Sequence, residues 1–260
     1  MYGTEDEDRV GRYQLIRELG SGGMASVYLA RIETAEGFSK LVALKRIHEH
    51  LGAQPGYVEM FCEEARLTAR ISHPNVCAVF DFGEENGEPF MAMEYLAGET
   101  FASIVEAVAA RPWAPEWPFR GAHLIAHAAE GLHAAHELRG DDGSNAGVVH
   151  LDVSPNNLVV TYTGAVKVLD FGIARVETSD AIREPAVLRG KIPYLAPEQI
   201  VGRNTVDRRV DVWSLGVTLW ETLTLRPLFQ RTDTLSTLAA VGTGFIPPPS
   251  SIRPRIPRAL

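Results

Sequence analysis

Gly20-Ser21-Gly22-Gly23-Met24-Ala25 is a short stretch, poor in side chains, lying between two runs of strand-forming residues. Glycine lacks a Cβ, so backbone N–H groups in such a turn can come close to phosphate oxygens. A tight hairpin turn explains the same residues equally well. A dinucleotide-binding turn is disfavoured because a strand, not a helix, follows it, and a P-loop is disfavoured because no Gly-Lys-Ser/Thr closes it. Other chemistry-bearing residues then follow in order. Lys45 ends Val42-Ala43-Leu44-Lys45, and Glu64 falls in the next helical pattern. His150-Leu151-Asp152-Val153-Ser154-Pro155-Asn156-Asn157, Asp170-Phe171-Gly172 and Ala196-Pro197-Glu198 come after.

The elements that must position these residues are legible from periodicity. Tyr13–Ile16, Ser26–Ile32 and Leu41–Ile47 read as strands. Val58–Ile71 has helical spacing, with Met60, Phe61, Ala65, Leu67, Thr68 and Ile71 on one face. Val76–Phe82 and Pro89–Met93 read as two further strands around Glu85-Asn86-Gly87-Glu88. After Glu94 helical patterns dominate, at Thr100–Ala110, Gly121–Leu138 and Asp211–Leu223. Short β runs at Leu158–Thr161 and Val166–Leu169 interrupt them. From Gly244 the chain is rich in proline and poor in helix signals. The organisation is α+β, with a β-rich first third and a helix-rich remainder.

Composition narrows the function classes. The 260 residues, 45% hydrophobic and 22% charged, can bury a sizeable core and are not disordered. At about 150 residues per domain the length suits one large or two small domains. A formal charge of −8, from 33 acidic against 25 basic residues, argues against generic nucleic-acid or anionic-lipid binding. No run approaches the roughly 20 apolar residues of a membrane span. Glu5, Asp6, Glu7 and Asp8 open an acidic N-terminal tail unlike a secretory signal. Cys62 and Cys77 read as two reduced thiols of a cytoplasmic protein. The pairs His123/His127 and His133/Glu137 read as helix packing, since a metal site needs a third ligand. Trp113 and Trp117 read as a packed aromatic loop.

The order and spacing of the charged motifs resemble the signature set of the protein kinases, specifically the bacterial eukaryotic-like (Hanks-type) Ser/Thr kinases. The resemblance runs from about Tyr13 to Leu260. It implies a bilobal fold, with an acidic tail at 1–12, an N-lobe at 13–94 and a C-lobe at 95–260. ATP would lie between the lobes, hinged near Glu94 to Gly98. Phosphoryl transfer gathers negative charge in one place, and its catalysis is mainly positioning and neutralisation. By resemblance Lys45 would hold the α- and β-phosphates, with Glu64 as its ion-pair partner. Asp170 and Asn157 would ligate Mg²⁺, a hard cation that takes oxygen ligands. Asp152 would accept or orient the substrate hydroxyl proton. Gly20, Gly22 and Gly23 would cover the phosphates, Val27 and Ala43 the adenine faces, and Met93 the back of the pocket. Glu94 and Leu96 would bond adenine through their backbone. Asp211 resembles the buried aspartate that anchors the catalytic loop.

Several residues depart from the family pattern. Ala25 stands in place of the third glycine, which a backbone at negative φ tolerates. Leu151 replaces the arginine that receives an activation-loop phosphate, so loop phosphorylation is not expected to be the main switch. Thr178 and Ser179 are the only hydroxyl acceptors between Asp170 and Tyr194. Ser154 replaces the lysine that normally sits near the transferring phosphate. Lys191 occupies the place of a threonine that contacts both groups, and its ammonium would take over the missing charge as a catalytic residue. In the family Glu198 pairs with an arginine beyond two more helices. Here Arg253, Arg255 and Arg258 come before that point, which implies a chain cut from a longer one or another partner for Glu198.

The resemblance implies ATP- and Mg²⁺-dependent transfer to protein Ser/Thr hydroxyls, with autophosphorylation. The alternative is a pseudokinase, a nucleotide-binding scaffold. Leu151, Ser154, Ala25 and the short C-terminus favour it, whereas the presence of Lys45, Glu64, Asp152, Asn157 and Asp170 disfavours it. A small-molecule phosphotransferase on the same fold is disfavoured by Tyr194-Leu195-Ala196-Pro197-Glu198-Gln199, which resembles a peptide-binding platform.

Overall fold

The computed structural model describes residues 9–33, 37, 39–52, 54–171, 191–201 and 206–257. Residues 1–8, Gly172, Thr178, Ser179 and Arg258, named above, lie outside the described residues. The chain divides into two compact units. The first holds Met1–Ser72 and Cys77–Ala97, and the second holds His73–Val76 and Gly98–Leu260.

In the first unit β1 (Arg9–Val10), β2 (Tyr13–Ser21), β3 (Ala25–Glu33) and β4 (Ser39–Ile47) precede the short α1 (Glu49–Gly52) and α2 (Pro55–Ala69). The strands β5 (Val79–Glu85) and β6 (Glu88–Glu94) complete a six-stranded sheet of order β1-β2-β3-β4-β6-β5. Every pairing is antiparallel. Val10, Tyr13, Ala30, Val42, Leu44, Phe90 and Ala92 form one apolar cluster. Side chains alternate across a strand, so Ala43 and Lys45 stand on the face opposite Val42 and Leu44. The β5–β6 turn places Asn86 at φ 53° and Gly87 at φ 82°. Both angles are left-handed, as a two-residue hairpin matched to strand twist requires.

The strand expected from Val76 begins only at Val79. The residues before it are claimed by the second unit. Val76 forms a parallel bridge with Val168. The Asn75 side-chain amide donates to the Val166 carbonyl at 2.9 Å, and the Val168 N–H donates to the Asn75 carbonyl at 2.8 Å.

The second unit begins with β7 (Gly98–Thr100), α3 (Phe101–Ala109) and α4 (Trp117–His136). It continues with β8 (Leu158–Thr161), β9 (Val166–Val168), α5 (Pro197–Ile200), α6 (Arg209–Thr224), α7 (Thr234–Thr243) and α8 (Pro249–Ile252). The three strands form a small antiparallel sheet. Thr100 caps α3 through the Ser103 N–H, and Asp233 caps α7 through the Ser236 N–H. α6 is buried on nearly every side. Its threonines suit that position, because Thr218, Thr222 and Thr224 return their hydroxyls to carbonyls four residues back. Val217, Trp220, Leu228, Phe229 and Val241 form the apolar cluster that α6 shares with α7. The first unit is built on the six-stranded sheet and the second is mainly helical with three short strands, in keeping with the α+β expectation. α7 was not anticipated, and it buries only Thr237 and Val241, too few to leave a helical stripe in the sequence. Among the described residues no helix is long and apolar enough to cross a membrane.

Gly131 fixes the approach of α4 to residues 73–76. A Cβ there would lie 2.6 Å from the Asn75 carbonyl oxygen. Alanine is the better helix former by about 1 kcal/mol. Gly131→Ala is nevertheless expected to destabilise the fold, by about 1–3 kcal/mol, because backbone blocks the added methyl. Urea denaturation checks the sign: greater stability in the variant contradicts the packing argument.

Candidate active site

In the first unit β4 presents Lys45 on the face opposite the apolar cluster. Its Nζ donates to Glu64 Oε1 at 2.8 Å, and the side chains are only 12% and 15% exposed. α2 carries Glu64, so the pair fixes the helix against β4. The Phe61 ring centroid lies 6.0 Å from the same Nζ. Strand register places Val27 beside Lys45, and Met93 beside Ala43. Adjacent strand partners share a sheet face, so these residues form one continuous surface around the ammonium. The Glu94 N–H donates to the Ala78 carbonyl at 2.8 Å, and the Cys77 thiol lies 3.6 Å from the Glu94 carbonyl. Leu96, half-buried, lies in the link after β6.

The glycine-rich turn is tighter than its sequence suggests. β2 runs on through Gly20 and Ser21. Gly20 and Gly22 avoid the left-handed region, so backbone strain is not what requires glycine at either position. A Cβ at Gly20 would meet nothing within 4 Å, so the space over this residue is open. Ala25 is absent from the positive-φ residues, so its methyl is tolerated. His48, which the sequence did not single out, anchors the turn. Its Nε2–H donates to the Gly22 carbonyl at 2.8 Å, and its backbone N–H donates to the Met24 carbonyl at 3.0 Å.

In the second unit the chemistry gathers on the loop before β8. Asp152 Oδ2 accepts from Asn157 Nδ2 at 2.9 Å and also from the ammonium of Lys191. Asn157 Nδ2 further donates to the Asp152 carbonyl at 2.8 Å. The amide nitrogen is thus committed to Asp152, and Oδ1, at the other end of the group, is the atom that could hold a cation. The Leu169 N–H donates to the Asn157 carbonyl at 2.9 Å and brings the segment before Asp170 alongside. His150, fully buried, ties the same parts together. Its Nδ1 accepts the Asp152 N–H at 3.2 Å, its Nε2–H donates to the Leu169 carbonyl at 2.8 Å, and its ring lies 4.6 Å from Phe171. These two bonds together select the Nε2–H tautomer.

The loop passes through left-handed backbone at Leu151, φ 63°, and Asp170 is left-handed too, at φ 48°. A bulky residue there costs about 1–2 kcal/mol. Asp211 supplies the restraint. Its Oδ2 accepts the His150 N–H and its Oδ1 the Leu151 N–H, each at 2.8 Å. His136 of α4, which the sequence also missed, completes the group with Nε2 at 2.7 Å from Oδ2. The Leu151 side chain is buried against Ala196 and Val210.

Glu198 is the carboxylate for which the resemblance implies a partner. It is half-buried in the first turn of α5, and the Arg209 guanidinium lies within its field. A carboxylate that keeps part of its hydration does not carry the full penalty of a buried unpaired charge.

Comparisons with known proteins identify the family. The family model described as "Protein kinase domain" matches residues 13–246. The chain belongs to the protein kinase domain family. Tyrosine-protein kinase MasK of Myxococcus xanthus is 44% identical over 251 residues, which are 96% of this chain and 38% of MasK. Serine/threonine-protein kinase PknB of Mycobacterium tuberculosis is 37% identical over 231 residues, covering 86% of this chain and 34% of PknB. This kinase-domain chain therefore spans little more than a third of the curated relatives it matches. The crystal structure of the Mycobacterium tuberculosis PknI kinase domain superposes with a TM-score of 0.67 at 25% identity, covering 98% of this chain and 85% of that one.

Asp211→Ala removes the acceptor from two loop N–H groups and from His136 at a site 1% exposed. The expected cost is about 3–5 kcal/mol, read by urea denaturation. A loss under about 1 kcal/mol contradicts the anchoring role.

Proposed function

We propose that this kinase domain transfers the γ-phosphoryl group of ATP to serine and threonine hydroxyls of protein substrates, its own included. The observation that carries the reading is Asp152, a carboxylate held on an anchored loop by Asn157 Nδ2 at 2.9 Å. In the reaction the substrate hydroxyl oxygen forms a bond to the γ-phosphorus. The bond from that phosphorus to the β–γ bridging oxygen breaks, and its electron pair leaves with ADP. Asp152 takes the hydroxyl proton. Lys45, oriented by Glu64, neutralises α- and β-phosphate oxygens. The open space at Gly20 admits the phosphates, Gly22 and Gly23 continue the cover, and Val27, Ala43 and Met93 pack adenine. Glu94 and Leu96 offer it their backbone groups.

The donor set suits Mg²⁺. Asn157 Oδ1 and the Asp170 carboxylate are hard oxygen ligands. Among the described residues no three His, Cys, Asp or Glu side chains form an all-protein cage. Mg²⁺ favours one or two such ligands completed by phosphate oxygens and water. When bound, the ion supplies neutralisation of the β- and γ-phosphate charge. ATP supply and two reduced thiols both fit a cytoplasmic setting.

Acceptor choice has two supported readings. The relatives named serine/threonine-protein kinase, PknB and pkn2, favour Ser/Thr. The name of MasK, a tyrosine-protein kinase, is the observation that favours tyrosine. Labelled ATP, Mg²⁺ and a generic basic protein give the assay. Asp152→Asn is expected to lower turnover about 10²–10⁴-fold. An equal rate in the variant contradicts the kinase reading, and phosphoamino-acid analysis decides between hydroxyl classes.

Leu151 points to regulation without an activation-loop phosphate. An apolar side chain packed on Ala196 and Val210 offers a phosphate no partner. Phosphatase treatment of the purified active chain is expected to change its rate less than about 2-fold, since no charge-assisted bond is lost at this position. A strong drop contradicts this.

A further inference from the structure

Phosphoryl transfer needs positive charge beside the oxygens of the group in flight, as well as at the phosphates left behind. The loop that carries Asp152 has none to give, because His150–Asn157 contains no lysine or arginine. Position 154, two residues after Asp152, is a serine that is 2% exposed. A cation nevertheless reaches Asp152, from 39 positions further along the chain, as the ammonium of Lys191.

The backbone that carries Lys191 is well fixed. The Tyr194 N–H donates to the Lys191 carbonyl at 3.0 Å, and Ile192 and Pro193 are buried. Ser214 Oγ on α6 donates to the Tyr194 carbonyl at 2.7 Å, and the Tyr194 hydroxyl donates to Glu221 Oε2 at 2.9 Å. The ammonium is therefore delivered by a turn bolted to the same helix that anchors the Asp152 loop through Asp211. The Lys191 side chain is 35% exposed, so its head can be reached by a substrate. An ammonium has three N–H donors, and one bond to Asp152 does not exhaust them.

We propose that Lys191 is a catalytic residue whose ammonium bonds the phosphoryl oxygens in flight beside Asp152, a charge supplied from the segment before α5 in place of one at position 154. The inference rests on the kinase reading above. The oxygen that attacks phosphorus lies one hydrogen bond from Asp152. A cation bonded to the same carboxylate oxygen is therefore within reach of the phosphoryl group as it passes. As the bond to the bridging oxygen breaks and the bond to the hydroxyl oxygen forms, negative charge stays on the equatorial oxygens. Lys191 stabilises that charge while Asp152 receives the proton. It remains an ammonium throughout, so no proton is borrowed from it.

The test is an exchange of positions in the 260-residue chain. Lys191→Thr is expected to lower kcat about 10²-fold, with the ATP Kd changed less than about 2-fold. Adding Ser154→Lys to that variant is expected to recover at least about 10-fold, because a cation returns to the loop two residues after Asp152. Lys191→Met, which keeps the stem and removes the charge, should match Lys191→Thr. The second readout is binding of Mg-ADP with aluminium fluoride, which stands in for the phosphoryl group in flight. Lys191→Thr should weaken that complex about 10-fold or more. An unchanged or raised kcat in Lys191→Thr overturns the proposal. So does a loss that Ser154→Lys does not recover, or an unchanged fluoride complex. Parent turnover no greater than that of Asp152→Asn overturns the kinase reading itself, and a parent clearly above that control leaves Lys191 alone on trial.

Discussion

A single buried carboxylate sets the geometry of the second unit. Asp211 is 1% exposed, and its two oxygens accept from His150, Leu151 and His136. Each acceptor bond answers a specific need. A left-handed leucine is unfavourable, and its neighbours would relax if the N–H groups had another partner. In a dry interior they have none, so moving the loop means leaving a carboxylate and two N–H groups unpaired at once. The apolar contacts of Leu151 with Ala196 and Val210 close the turn from its other side. The strain is thus held by packing and hydrogen bonding together, and Asp152 is aimed as a consequence.

α6 carries this constraint to the rest of the unit. Asp211 in its first turn fixes the loop, Ser214 holds the Tyr194 carbonyl, and Glu221 accepts from Tyr194 and from the Leu228 N–H. Burial pushes both the Glu221 carboxyl and the Tyr194 hydroxyl above their ordinary values, because a dry interior disfavours their charged forms. One buried helix therefore references both Asp152 and the turn that delivers Lys191. Two groups fixed to one rigid element hold their separation better than two groups on independent loops, and phosphoryl transfer tolerates little misplacement.

Much of this was legible in the sequence. The strands β3, β4 and β6 follow from their alternation, and with them the face that carries Ala43, Lys45 and Met93. The helix that carries Glu64 followed from its spacing, and the pairing of Glu64 with Lys45 from the family resemblance. Residues whose roles depend on distant partners left no local trace. His136 looks like any polar residue on a helix, because Asp211 lies 75 positions away. His48 anchors a turn 26 residues before it. Val76 has the composition of a strand yet is taken by Val168, a contact no local pattern encodes.

The departures at the catalytic loop carry a further physical point. What the reaction fixes is charge and distance, and the chain position that supplies them is free to vary. Leu151 is packed into an apolar cluster, so no unpaired charge stands at that position. Ser154 carries no charge, yet an ammonium still reaches Asp152 from Lys191. The same separation of local from global charge explains why the net −8 of the chain says little about its chemistry. Surface carboxylates are screened within about 8 Å at physiological ionic strength, whereas Lys45 with Glu64, and Lys191 with Asp152, act at contact distance in partly dry surroundings. An acidic protein can therefore handle a polyphosphate, provided its few buried cations stand where the phosphate charge must go.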